Sequence, residues 1–339
     1  MRSPIIAGLP GPELDAQTKE ILRRLNPVGY ILFKRNCVNE TQLKKLCADL
    51  KALSAEEPLI FIDQEGGRVN RIDWLPYKAP AGRAIGALYE ENPPLGMRVA
   101  YLNAFLLAAH LRPYGINVNC LPVADIAFPY THDVIGDRAF SHKPEVVATL
   151  ANATSKGLKA GGCWPIIKHA PGHGRAQADS HKDLPVVDVE LAELMDRDFY
   201  PFKENAQCPL IMTAHILYPQ LDGKACATQS PKVLQGILRE KLGMTGLIVS
   251  DDLYMEALTG DIPARAQASL KAGCELLLVC AGKNDDLEKL AALNLTLTDE
   301  ANRKIEALPA LGAPSDHEVA AAMNELRKIW PGQGVAYAV

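Results

Sequence analysis

The chain has 339 residues, 48% of them hydrophobic and 22% charged, an ordinary globular balance and enough length for one large domain or two smaller ones. A net charge of −4 leaves no basic footprint, which argues against nucleic acid as the main partner. No apolar run approaches the ~18 residues of a membrane span, and the start "MRSPIIAGLPGPELD" has too short an apolar run for a signal peptide, so a cytoplasmic protein without a membrane partner is expected.

In chain order, "SPIIAGL" (3–9) reads as a strand, followed by a helix with Leu14, Ile21, Leu22 and Leu25 on one face. "VGYILFK" (28–34) and "PLIFID" (58–63) are the next strands, separated by the helix "ETQLKKLCADLKAL". A long Gly- and Pro-containing connection and a helix near 94–112 lead to the strand "INVNCLPV" (116–123). A helix at about 144–160 precedes "CWPIIKHA" (163–170), and one near 189–203 precedes "PLIMTAHI" (209–216). Ser230 and Pro231 open a helix whose apolar face is Val233, Leu234, Ile237, Leu238 and Leu242, and Gly243 ends it. "TGLIVSDD" (245–252) and "CELLLVCAG" (274–282) complete eight strands, with a helix near 262–272 between them.

Eight β-then-α units imply parallel strands with crossover helices, and their count and length suit a single α/β domain, a closed (β/α)₈ barrel over about residues 3–295. The remainder, about 298–329, reads as one or two helices packed outside. An open doubly wound sheet is the alternative, but "AGLPGPE" lacks the glycine-rich phosphate turn that such a sheet would carry after its first strand. Cys37, Cys47, Cys120, Cys163, Cys208, Cys226, Cys274 and Cys280 form no C-x-x-C pair and sit mostly in apolar runs, as buried reduced thiols do.

Active sites of such barrels lie at the C-terminal ends of the strands. Polar residues there are Lys34 and Arg35, Asp63, Lys168 and His169, His215, and Asp251 with Asp252. The loop "DQEGGRVNR" (63–71) adds Glu65, Arg68 and Arg71, and "VIGDRAF" (134–140) adds Arg138. Any one of these could be a helix cap or a solvated loop residue, and Asp63 with Arg68 could be a plain loop ion pair. Together they suit a ligand rich in hydroxyl groups.

"DQEGGRVNR", "IGDRAF", "KHAPGHG…DSH" and "SDDLYM", in this order, resemble the bacterial β-N-acetylglucosaminidases of glycoside hydrolase family 3, above all the compact cytosolic members of peptidoglycan recycling. The resemblance implies a (β/α)₈ barrel, a retaining mechanism and removal of terminal N-acetylglucosamine from muropeptides carrying 1,6-anhydro-N-acetylmuramic acid. It implies no cofactor and no metal. The expected partner is a small carbohydrate substrate, and the chain is expected to act as a monomer.

A retaining glycosidase needs an ionised nucleophile and an acid/base beside the leaving oxygen. Asp251, at the end of a buried strand, meets the first need and matches the family nucleophile. Asp252 should point elsewhere and cap the next segment. For the acid/base, "DSH" offers Asp179 and His181, which project to the same side of extended backbone. The carboxylate can fix the imidazole's tautomer, and a histidine titrates near working pH. The resemblance makes the same assignment, His181 as acid/base with Asp179 as its partner. It also implies that Asp63, Arg71, Arg138, Lys168 and His169 line the terminal-sugar subsite. His173 and His215 are as readily structural. Gly172 and Gly174 suggest loop motion, while Ala170, Arg175 and Gln177 differ from what the better-known relatives carry.

Three rivals stand. A metal-dependent hydrolase could draw ligands from His169, His173, Asp179, His181 and His215, although no H-x-H or H-E-x-x-H pattern is present. A non-catalytic carbohydrate-binding barrel is the second. The third is a phosphorolytic enzyme, because a neutral histidine does not repel phosphate as a carboxylate does.

Overall fold

The computed structural model describes residues 2–180, 183–308 and 310–331. Eight parallel strands form a ring in sequence order: β1 Ser3–Gly8, β2 Pro27–Leu32, β3 Leu59–Ile62, β4 Val118–Asn119, β5 Trp164–Ala170, β6 Leu210–Thr213, β7 Leu247–Val249 and β8 Leu277–Val279. β1 pairs with β8 through Ile5↔Leu277 to Ala7↔Val279, and the Val249↔Leu276 bridge joins β7 to the start of the β8 segment, so the barrel closes. This is the (β/α)₈ architecture that the alternation of strands and helices predicts. The strand β4 pairs over only two residues of the expected 116–123 run. Pro122 lies in that run and has no N–H to give a ladder.

Two apolar layers hold the barrel. Inside it, Ile6, Phe61, Val118, Ile166, Leu210, Leu247 and Leu278 pack together. Outside it, strands and helices share a second core that includes Ile5, Leu22, Leu46, Leu107, Leu158 and Phe202. The helices begin where the sequence supplies acceptors: Asp15 accepts the Thr18 amide before α1 (Ala16–Leu25), and Asn39 accepts that of Gln42 before α2 (Glu40–Leu53). The expected helices near 94–112, 144–160 and 262–272 are Pro93–Leu111 (α4), Pro144–Gly161 (α5) and Ile262–Ala272 (α8), while two further helices, Gly82–Glu91 (α3) and Asn284–Ala292 (α9), lie outside the sequence expectations. Neither has a side-chain N-cap hydrogen bond to mark its start.

The expected helix near 189–203 is instead two short ones, α6 Leu191–Asp196 and α7 Tyr200–Glu204. Pro201 cannot continue a helix from before it, and Asp198, in the break, turns inward to accept both Arg175 contacts at 3.1 and 2.9 Å. The segment opened by Ser230 and Pro231 runs over Lys232–Lys241 and is wound as a π-helix, with Val233, Leu234, Ile237 and Leu238 buried. All eight cysteines are buried and unpaired. Among the described residues, no helix is long and apolar enough to cross a membrane.

The C-terminal segment holds α10 (Asp299–Glu306) and α11 (Asp316–Ile329). Leu297, Ala301 and Ile305 pack against the barrel's inner layer. They cover its N-terminal end: the Leu297 amide donates to the Arg2 carbonyl at 2.9 Å, and Lys304 pairs at 2.7 Å with Glu275, which precedes β8. The opposite end stays open, and the polar residues collect there.

Candidate active site

The loop after β3 is built to aim its side chains. Gln64 donates its amide to Asn119 at 3.0 Å, and Asn119 returns a bond to the Gln64 carbonyl at 2.9 Å. The Gln64 side chain then accepts the Arg71 amide at 2.9 Å. Between them the chain doubles back at Gly66 (φ 104°), where a Cβ would meet the Pro80 carbonyl oxygen at 2.4 Å. Asp63, Glu65 and Arg71 are thereby fixed relative to one another.

On β5, pairing with β6 shifts register between Ile167 and Ala170. An irregularity of this kind re-aims side chains, and Lys168 and His169, adjacent in sequence, both line the cavity. At β7, the Ser250 amide donates to the Leu276 carbonyl and the Ser250 hydroxyl accepts the Leu278 amide, each at 3.0 Å, which fixes the backbone just before Asp251. Asp252 Oδ1 accepts the amides of Tyr254 at 3.1 Å and Cys280 at 3.0 Å.

These ends surround an open cavity of about 300 Å³. Asp63, Arg71, Arg138, Lys168, His169 and Asp251, the expected sugar-holding residues and nucleophile, all line it, together with Glu65, Arg68 and Asp252. Phe33, Met212, Met255 and Leu278 supply apolar walls.

The charges form a matched cluster. Lys168 Nζ lies 2.7 Å from Asp63 Oδ1 and 2.7 Å from Glu65 Oε1. Arg138 donates from Nε and Nη2 to the two Glu65 carboxylate oxygens, at 2.9 and 2.8 Å, and Arg71 approaches Asp63 at 3.5 Å. Burial pushes the Asp63 and Glu65 carboxyls up, but the cations outweigh it: Asp63 is held well below the usual range, chiefly by Lys168 and Arg71, and Glu65 at about 2, chiefly by Arg138 and Lys168. Burial likewise favours neutral Lys168 and Arg138, and the same carboxylates reverse it and raise both groups.

Asp251 has a different setting. Burial would raise its carboxyl, yet the pull of His169 and His215, the Asp252 amide and Lys168 lowers it. Asp251 Oδ1 accepts that amide at 2.8 Å. Burial raises neighbouring Asp252 instead.

Asp125 was absent from the sequence-based candidates. It is fully buried, accepts His169 Nδ1 at 2.6 Å through Oδ2, and accepts the His173 amide at 2.7 Å through Oδ1. It follows the β4 run in "LPVAD", so an acid just beyond a strand end was the available signal. Burial pushes its carboxyl up, but the His169 ring outweighs this and holds it at about 2.

Other expected residues are engaged by other partners. Lys34 turns outward to Asp73 at 2.5 Å, and Arg35 ties the Leu9 and Cys280 carbonyls together. Arg68 pairs with Asp137 at 2.8 Å rather than with Asp63. His215 is buried between the Thr228 hydroxyl at 2.7 Å and the Asp252 carbonyl at 3.0 Å, joining β6 to the loop after β7. Asp179 is half-buried on the loop after β5, and its carbonyl accepts the Asp183 amide at 3.0 Å. His181 lies outside the described residues. The loop before it is fastened down. Gly174 rests on the Ile126 carbonyl, where a Cβ would come within 1.7 Å, so this glycine serves a close approach. Arg175 adds its bonds to Asp198, an ion pair to Glu193 at 2.5 Å and a stack over Phe128 at 4.5 Å.

Burial holds the His173 ring at about 4 and also lowers His215, so the fold prefers both rings neutral. Their stabilisation is complete above the ordinary histidine value of about 6.5 and is lost as pH falls below it, toward about 4 for His173, at roughly 1.4 kcal/mol per pH unit for a ring titrating fully. The depressed carboxylates act lower, losing their contribution from about pH 4 downward. Thermal midpoints should therefore already decline between pH 7 and pH 5. A midpoint constant over that interval would refute the neutral, buried state of these two rings.

Residues 6–307 match the family described as Glycosyl hydrolase family 3 N terminal domain. A β-hexosaminidase of Bordetella avium (strain 197N) is 39% identical over 317 residues, covering 92% of this chain and 89% of that protein. One from Stenotrophomonas maltophilia (strain R551-3) is 38% identical over 280 residues, covering 81% and 83%. Among solved structures, NagZ from Neisseria gonorrhoeae in complex with N-trifluoroacetyl-D-glucosamine superposes with a TM-score of 0.87 at 35% identity, covering 97% of this chain and 98% of that one. On this extent of sequence and fold, the chain belongs to glycoside hydrolase family 3 and is a glycosidase.

Proposed function

We propose that the protein is an exo-acting, retaining β-N-acetylglucosaminidase that releases terminal N-acetylglucosamine from muropeptide fragments carrying 1,6-anhydro-N-acetylmuramic acid. It would act as a monomeric single-domain enzyme in the cytoplasm, in peptidoglycan recycling. One observation carries the reading. Of the carboxylates lining the cavity, Asp63 and Glu65 are neutralised by paired cations, and Asp252 holds two backbone amides. Asp251 is ionised, buried to 8% exposure and outside any ion pair among the described residues.

Asp251 attacks the anomeric carbon, and the glycosidic C–O bond breaks as a glycosyl–aspartate ester forms. The leaving oxygen takes a proton from His181, steadied by Asp179. Water then attacks the same carbon, gives its proton back to His181 and frees Asp251. Asp63 accepts from sugar hydroxyls, while Arg71, Arg138, Lys168 and His169 donate to hydroxyls and to the acetamido group. The N-trifluoroacetyl-D-glucosamine bound by the gonococcal relative supports an N-acylated glucosamine as occupant.

The rivals fare worse. Among the described residues no group of three or more His, Cys, Asp or Glu is placed to hold a metal ion, and either nitrogen that His215 could offer already holds a hydrogen bond. Phosphorolysis needs an anion beside Asp251, yet Lys168, Arg138, Arg71 and Arg68 each already face a carboxylate. The test is hydrolysis of an aryl β-N-acetylglucosaminide in phosphate buffer containing a chelator, compared with the matching glucoside. Free N-acetylglucosamine, undiminished by chelation and unmatched on the glucoside, is the expected product. Sugar 1-phosphate, or loss of activity to the chelator, would replace this reading with a rival.

A further inference from the structure

One buried titratable group has no part in the chemistry above. His173 is 2% exposed and sits eight residues before His181 on the same loop. Its Nε2 lies 3.2 Å from Ser180 Oγ, and Ser180 follows Asp179 directly. Its backbone amide donates to Asp125 Oδ1 at 2.7 Å, while the other oxygen of Asp125 holds His169 Nδ1 at 2.6 Å. His169 Nε2 in turn lies 3.5 Å from Arg138. A continuous line of polar contacts thus runs from the cavity wall to the turn beside Asp179.

A second observation argues against mere packing. His173 Nδ1 is buried without a hydrogen-bond partner. An apolar side chain of similar size would avoid that penalty. What the imidazole supplies beyond volume is the contact at Nε2. Ser180 is also fixed from its other side, because its carbonyl accepts the Ala257 amide at 3.3 Å from the loop after β7. The His173 ring and the Asp251 loop therefore meet at one residue of the Asp-Ser-His segment.

We propose that His173 is a positioning residue, holding Ser180 so that the Asp179 turn keeps its place relative to the sugar subsite anchored by Asp125 and His169. The inference rests on the acid/base reading of Asp179 and His181. A misplaced turn impairs proton transfer and leaves the sugar contacts of Asp63, Lys168 and Arg138 intact. The loss therefore grows with the leaving group's need for a proton, and sugar affinity does not change.

The experiment compares kcat/KM on a disaccharide with kcat/KM on a nitrophenyl glycoside, which needs little acid assistance. General acid catalysis is typically worth ~10²–10⁴-fold, so His173→Asn, whose amide reaches only to the Nδ1 position, should lose about 10–100-fold on the disaccharide and under about threefold on the aryl substrate. His173→Gln, which can present an amide near the Nε2 position, should recover most of the loss. Inhibition by N-acetylglucosamine should be unchanged in both. Ser180→Ala should reproduce the His173→Asn pattern, and the double variant should add little. If His173→Asn does not fold, Ser180→Ala decides by the same comparison. Equal losses on both substrates, a matching loss of sugar affinity, or effects that multiply in the double variant would each overturn the proposal. His181→Ala, run in parallel, separates the two levels. If it spares the aryl substrate while His173→Asn does not, this inference alone fails. If it depresses both alike, the acid/base reading fails and takes this one with it.

Discussion

Asp251→Asn is expected to lower kcat/KM by on the order of 10⁴-fold or more, the scale at which loss of a residue forming the covalent intermediate is felt. The fold should survive, because an asparagine oxygen still accepts the Asp252 amide that Asp251 Oδ1 accepts at 2.8 Å. Asp252→Asn is the matched control. Its Oδ1 holds the Tyr254 and Cys280 amides, a task an amide oxygen also performs, so most activity should remain. A fluorinated mechanism-based sugar should label Asp251. A label mapped to Asp252, or an Asp252→Asn variant as inactive as Asp251→Asn, would reverse the assignment.

Lys168→Met should have the largest effect on stability. Lys168 is 1% exposed and is the shared countercharge of Asp63 and Glu65. Removing one member of a buried ionic cluster typically costs about 3–5 kcal/mol, because the partner charges stay behind. For a chain of this length that corresponds to a fall of roughly 4–7 °C in thermal midpoint. The pH dependence gives the cause. Without the ammonium, the two carboxyls rise and take up protons more readily, so the deficit should be large at pH 7.5 and smaller at pH 5. A deficit of the same size at both pH values would mean that lost packing, rather than lost charge, explains the change. Activity should fall as well, because Asp63 loses the contact that orients it.

The barrel was legible because each strand is an apolar run buried on both faces and helices such as α1, with Ile21, Leu22 and Leu25 buried, carry an apolar stripe between them. The same patterns brought the strand-end residues to one mouth. Pairing within that mouth was not legible. Asp63 is 105 positions from Lys168, and Glu65 is 73 from Arg138. At sequence level the nearer Arg68 is an equally good partner for Asp63, and only the fold sends it to Asp137. Asp125 escaped for a related reason. An acid past a strand end can cap, face solvent or turn inward, and its partner His169 is 44 positions away. Lys34 and Arg35 mark the converse case: they follow a strand as Asp63 does, but the short helical turn Lys34–Asn36 directs them away from the cavity.

The way α10 covers the barrel's N-terminal end also has a consequence during synthesis. β1 finds one neighbour at once in β2, but its other edge waits for β8, about 270 residues later, and the backbone of Arg2 waits for Leu297. At translation rates of roughly 5–20 residues per second, that interval is on the order of 15–60 s. Throughout it, the nascent chain carries an unpaired strand edge and an uncovered apolar floor. Ring closure of such high sequence separation is intrinsically slow, so exposure of that edge and floor is set by the length of the chain still to be made and not by the stability of the finished barrel.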